Sequence, residues 1–101
     1  MSDKVIRDGK VAVIISPGFG AGWSTWADDE HAAWCRHDPA LVEAVEAKDW
    51  DRAKALAEAR DENIYLGGSK DLVVEWVPKG ALYYIHEYDG YEWIVTDFLR
   101  A

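Results

Sequence analysis

One cysteine in 101 residues rules out an internal disulfide framework, and a lone Cys35 fits a chain kept in a reducing compartment. Basic residues are also scarce. Eleven Lys and Arg stand against nineteen Asp and Glu, a formal net charge of −8. Binding to DNA or RNA phosphates depends on clustered cations, so direct nucleic-acid binding is not expected; the acidic balance is compatible with a basic partner or with mimicry of nucleic-acid charge. Long apolar runs are missing too: none approaches the roughly 20 residues of a membrane-spanning helix, and the opening MSDKVIRDGK has no signal-peptide core. These absences imply a soluble, cytosolic protein with no membrane contact. No repeat, low-complexity tract or linker divides the chain. What is abundant is apolar and aromatic: half of the residues are hydrophobic, with six Trp and five Tyr, enough to fold residues 1–101 as one domain around one core.

The stretch Val11 to Trp26, VAVIISPGFGAGWSTW, organises the rest. Val11 to Ile15 has no polar side, which suits a strand buried on both faces. Gly18, Gly20 and Gly22 then allow positive φ and the close approach of another surface before Trp23, Ser24, Thr25 and Trp26 lead towards a helix. Upstream, Asp8-Gly9 is the dipeptide of a two-residue hairpin loop, which sets Ile6 opposite Val11 and Val5 opposite Ala12. Downstream, Thr25 or Asp28 can cap a helix running to about Arg36. Asp38-Pro39 starts a second with Leu41, Val42 and Val45 on its apolar side, and Asp49 caps a third carrying Ala53, Leu56, Ala57, Arg60 and Ile64. After Asn63 the period falls to 2. Strands are expected at Ile64 to Leu66, Leu72 to Val77, Leu82 to Tyr88 and, after an Asp89-Gly90 turn, Glu92 to Thr96. The class is α+β: a mainly antiparallel sheet made of an N-terminal hairpin and a C-terminal meander, with about three helices packed on one face.

Three stretches, KVIRDGKVAVIISPGFGAGWSTW (Lys4 to Trp26), YLGGSKDLVVEWVPKG (Tyr65 to Gly80) and the EYDG turn with its flanks (Glu87 to Trp93), resemble small accessory proteins of bacteriophage and prophage genomes. The resemblance implies a bacterial host cytoplasm during infection, where small acidic proteins bind and neutralise a defence component or its nucleotide signal. It carries no catalytic residue set.

The glycine loop has the strand–turn–helix order of a phosphate site, but its details depart from the known versions. Trp23 follows Gly22 where a P-loop needs Lys, Gly20 and Gly22 are too close for the dinucleotide fingerprint, and Asp28, Asp29 and Glu30 would repel an anion. Either the loop packs Phe19, Trp23 and Trp26 against the core, or Gly18, Phe19, Gly20, Gly22, Trp23, Ser24 and Trp26 meet a ring-bearing ligand or a protein. Cys35 has His31 and His37 nearby, with Asp38 as a further group, yet no recognised ligand spacing; a buried free thiol is expected, with no metal and no cofactor. In the last hairpin Glu87 faces Glu92, a pair that suits acid–base chemistry or a hard cation but is more often solvated or bridged by an internal base such as Arg7 or Arg100. The alternate face carries Tyr84, His86, Tyr88, Tyr91 and Trp93, a strip that serves either packing or a partner.

The functional expectation is a non-enzymatic phage-type binding protein. It sequesters a nucleotide-like ligand or blocks a host protein through Gly18 to Trp26, together with Tyr84, His86, Tyr88 and Tyr91, and its aromatic content also suits a homodimer. The alternatives are a small enzyme using Glu87, Glu92 and His86, and an acidic decoy in which Asp28 to Glu30, Glu43 to Asp51 and Glu58 to Glu62 imitate a phosphate backbone.

Overall fold

The computed structural model describes residues 4–18, 22–61, 64 and 72–97. Its order is β1 (Ile6–Arg7), β2 (Lys10–Ile15), a 3₁₀ turn (Ser24–Trp26), α1 (Asp29–His37), α2 (Pro39–Glu46), α3 (Trp50–Arg60), β3 (Val73–Pro78), β4 (Leu82–Tyr88) and β5 (Tyr91–Asp97). The α+β class is as the sequence implies. The antiparallel strands divide between two sheets, β1-β2-β3 and β4-β5. An uninterrupted meander is therefore not what forms: β3 pairs with β2, Ala12 opposite Trp76 and Ile14 opposite Val74, and β4 does not continue that sheet.

The reason lies in β2. Its run from Ala12 to Ile15 is buried throughout, so two different layers must cover its two faces. Ala12 and Ile14 face the helical layer, in one cluster with Trp23, Cys35, Leu41, Val42, Ala53 and Leu72. Val13 and Ile15, with Val77, face the hairpin layer through Tyr83, Ile85 and Ile94. Gly80, at φ +88, turns the chain after β3, and the hairpin that follows covers the second face of β2. The helices are confined to the first face.

Local chemistry accounts for the elements. Both Asp-Gly turns hold positive φ at each position, Asp8 +50 with Gly9 +77 and Asp89 +50 with Gly90 +88, which fixes the expected registers Ile6–Val11 and Tyr88–Tyr91. Asp38 caps α2 by accepting from the Leu41 N–H at 3.0 Å, with Pro39 in the first helical position. Asp49 caps α3 through the Arg52 N–H at 3.1 Å. Asp28 is the residue before α1, but its side chain makes no capping bond. Of the strand expected at 64–66 only Ile64 is described: it is buried, and its N–H donates to the Asp61 carbonyl at 3.2 Å rather than to a strand.

The end of α2 departs from sequence preference. The Asp49 N–H reaches back to the Ala44 carbonyl at 2.9 Å and the Lys48 N–H to that of Val45 at 3.0 Å, the double bond that closes helices ending on a left-handed residue. That residue is Lys48, at φ +56, where glycine is usual. Lys48→Gly is therefore expected to raise stability by about 1 kcal/mol, seen as a higher urea midpoint at unchanged m value.

Candidate functional site

The glycine loop and the last hairpin meet at one side chain, Glu92. It lies opposite Glu87 in the β4–β5 register, as the turn dictates, but its environment is another matter. Glu92 is fully buried. One carboxylate oxygen accepts from the Ser16 N–H at 2.9 Å. The other accepts from the N–H groups of Trp23 at 2.8 Å and Thr25 at 3.0 Å, and from the Thr25 hydroxyl. Its own N–H donates to the Ser16 carbonyl at 2.8 Å. A buried carboxylate is tolerated only when such donors replace its water, and here they come from both ends of the loop. Glu92 thus clamps residues 16 and 23–25 onto the hairpin.

Glu87 stands apart, exposed. It accepts from the Gly90 N–H at 2.7 Å and the Trp26 indole N–H at 3.1 Å, and these two bonds hold its carboxyl below the usual range. His86 lies on the other face of the hairpin, stacked on Trp93 with ring centres 5.6 Å apart. The trio Glu87, Glu92 and His86 therefore does not converge on a reacting point. Arg7 does not bridge the two glutamates either; it binds Glu46 through both guanidinium nitrogens at 2.8 and 2.9 Å. Arg100 lies outside the described residues.

The loop residues fall into three groups. Phe19 and Gly20 lie outside the described residues, and Gly18 is exposed. Trp23, expected at a contact surface, is 1% exposed and donates its indole N–H to the Cys35 carbonyl at 2.7 Å, so it presents no surface to a partner. Ser24 is buried beside it, its hydroxyl accepting from Arg36 at 3.2 Å. Trp26 remains 39% exposed. At Gly22 smallness itself matters, because an added Cβ would come within 2.6 Å of the Trp26 ring. The surface that approaches the loop closely is the chain's own indole.

Around Cys35 the groups disperse. The thiol is fully buried and pushed up to about 12, by burial first and then by the charge of Glu92, which leaves no thiolate for nucleophilic attack. His37 points between layers: its Nδ1–H donates to the Ala12 carbonyl at 3.1 Å and its Nε2 accepts from the Tyr83 hydroxyl at 2.8 Å. His31 meets Asp61 at 3.1 Å and Glu30 at 3.4 Å, a partner set that the His31–Cys35 spacing did not indicate. Arg60 donates to the other ring nitrogen of His31 at 3.3 Å. That bond places the proton on Nε2, the atom facing the two acids, and removes the lone pair a cation would need. Of the acidic stretches, Glu43 to Asp51 is partly engaged at home: Glu46 by Arg7, Glu43 by Arg52 at 2.8 Å, and Asp49 as a helix cap.

The outer face of β4–β5 is different. Leu82 is 57% exposed, Tyr84 57%, Tyr88 70%, Trp93 39% and Val95 39%. Tyr91 meets Trp93 edge to face at 5.6 Å, which extends the His86–Trp93 stack into a fixed aromatic ladder. Of the expected contact residues, the structure brings Tyr84, His86, Tyr88 and Tyr91 together on one open surface, with Trp26 tied to the turn end through Glu87.

Comparison with family models, with curated proteins and with solved structures finds no match.

Two outcomes follow from this geometry. Glu92→Gln keeps the shape but sets an amide N–H against existing donors, so stability should fall by about 2–4 kcal/mol in urea titration, with the Trp23 and Thr25 amides losing hydrogen-exchange protection first. Burial lowers the pKa of His37 below its ordinary 6.5. The unfolded chain then binds the extra proton, and stability must fall as pH drops below about 6.5. The urea midpoint at pH 5.5 should lie below that at pH 7.5, and in His37→Gln the gap should narrow.

Proposed function

We propose that this protein is a non-enzymatic binding protein that blocks a basic surface of a host protein, docking through the outer face of β4–β5. The supporting observation is the aromatic ladder itself, Tyr84, His86, Tyr88, Tyr91 and Trp93, left uncovered on a small domain whose remaining large side chains are mostly packed. Tyrosine and tryptophan dominate the energetic centres of protein interfaces, because they bury much area at small entropic cost. No Lys or Arg occurs from residue 82 to 97, and the chain carries −8 overall, so the complementary partner is cationic and can place Arg or Lys over the rings.

Catalysis has less to rest on: Glu92 is consumed by four donors, Cys35 is a buried thiol, and His86 faces away from both glutamates. Capture of a nucleotide-like ligand by Gly18 to Trp26 is weakened by the burial of Trp23 and Ser24. Among the described residues no helix is long and apolar enough to cross a membrane. The phage-type, counter-defence setting in a bacterial cytoplasm rests on the sequence resemblance of Lys4 to Trp26, Tyr65 to Gly80 and Glu87 to Trp93.

The test is a pull-down from infected bacteria with the wild-type chain and a Tyr88→Ser/Trp93→Ser variant. The expected result is a basic protein held by the wild type, weakened by salt, and bound about 100-fold more weakly by the variant at an unchanged melting temperature. Equal retention by the variant, or an acidic partner indifferent to salt, would overturn the reading.

A further inference from the structure

A second recognition surface lies on the other side of the molecule, where the α2–α3 turn overhangs β3. A hollow of about 460 Å³ is lined there by Trp50, Trp76, Val45, Leu72 and Lys48. Its floor is apolar, since Val45 and Leu72 are 3% and 2% exposed, and its two indoles are half-buried. Beside it lies a second hollow of about 370 Å³ lined by Arg7 and Lys10, with Trp76 and Glu46 common to both. The Arg7 guanidinium already sits over the Trp76 ring, 5.2 Å from its centre. Hollows of this size suit a small organic ligand, and their composition states which kind.

We propose that the paired hollows bind a small planar anion, a heteroaromatic ring carrying a phosphate or similar group. The ring rests against Trp50 and Trp76 over the Leu72 floor, and the anionic group is met by Lys48 at the rim. Charge is the first argument. Glu46 already pairs with Arg7, which leaves Lys10 and Lys48 against Asp8 alone around the two hollows, in a chain with an overall charge of −8. The second argument is the backbone of Lys48. Its φ of +56 is a conformation in which glycine is the stable choice, so an ammonium group is kept at the rim at a cost in folding stability.

The proposal stands apart from the docking face, which lies on the hairpin layer. It is tested by titrating the ¹⁵N-labelled full chain with AMP, with adenosine as the uncharged comparison, and following the indole N–H signals assigned by Trp50→Phe and Trp76→Phe. Saturable shifts of the Trp50 and Trp76 signals are expected, with AMP bound more tightly than adenosine. In Lys48→Gly, a substitution the backbone favours, AMP binding should weaken about fivefold to tenfold while adenosine binding stays unchanged. The Tyr88→Ser/Trp93→Ser chain should bind AMP as the wild type does. Absence of shifts at millimolar AMP, shifts confined to Trp26 and Trp93, or equal AMP affinity in Lys48→Gly would each overturn it.

Discussion

A single carboxylate, taken wholly out of water, sets the conditions for everything around it. Glu92 is stable in its place only while the N–H groups of Ser16, Trp23 and Thr25 and the Thr25 hydroxyl converge on it, so the loop between β2 and α1 has one conformation at its ends. From that, other features follow. Trp23 is directed inward to the Cys35 carbonyl, which ties the loop to α1. Trp26 is set across Gly22 and reaches Glu87, which ties the loop to the hairpin turn. The loop joins the helical layer to the hairpin layer around the end of the central sheet.

What could be read from the residues was whatever short-range chemistry decides. The two Asp-Gly turns, the Asp38 and Asp49 caps and the unbroken apolar run of β2 each specify their own element, and the facing of Glu87 with Glu92 follows from turn length alone. Which face of the hairpin turns inward was not legible. Tyr83, Ile85 and Ile94 alternate with Tyr84, Tyr88 and Trp93, and both sets are apolar enough to form a core. The depth of Glu92 was equally hidden, because its donors stand 67 to 76 residues away in the chain and glutamate is rarely buried. Trp50 and Trp76 gave no signal as a pair: one opens a helix, the other lies mid-strand, and only packing of α2 on β3 joins them.

Two surfaces of opposite character result from this layering. The hairpin layer turns aromatic rings and no basic side chain outward. The edge where α2, α3 and β3 meet gathers Arg7, Lys10 and Lys48 about two indoles. The central sheet separates them. Substitutions on one surface are therefore expected to leave the other intact.

The enclosure of β2 has a temporal side as well. Its two faces and its inner edge are covered by segments that follow it in the chain, the helices on one face, the hairpin from Leu82 on the other and β3 from Val73 along the edge, so a nascent chain that has reached only α3 carries Val11–Ile15 without its β3 partner. A bare run of β-branched residues is the kind of segment that pairs with a neighbour's. The arrival of β3 is thus the event that ends this vulnerability during synthesis, and a ribosome stalled before Val73 leaves a product whose central strand still has an open edge.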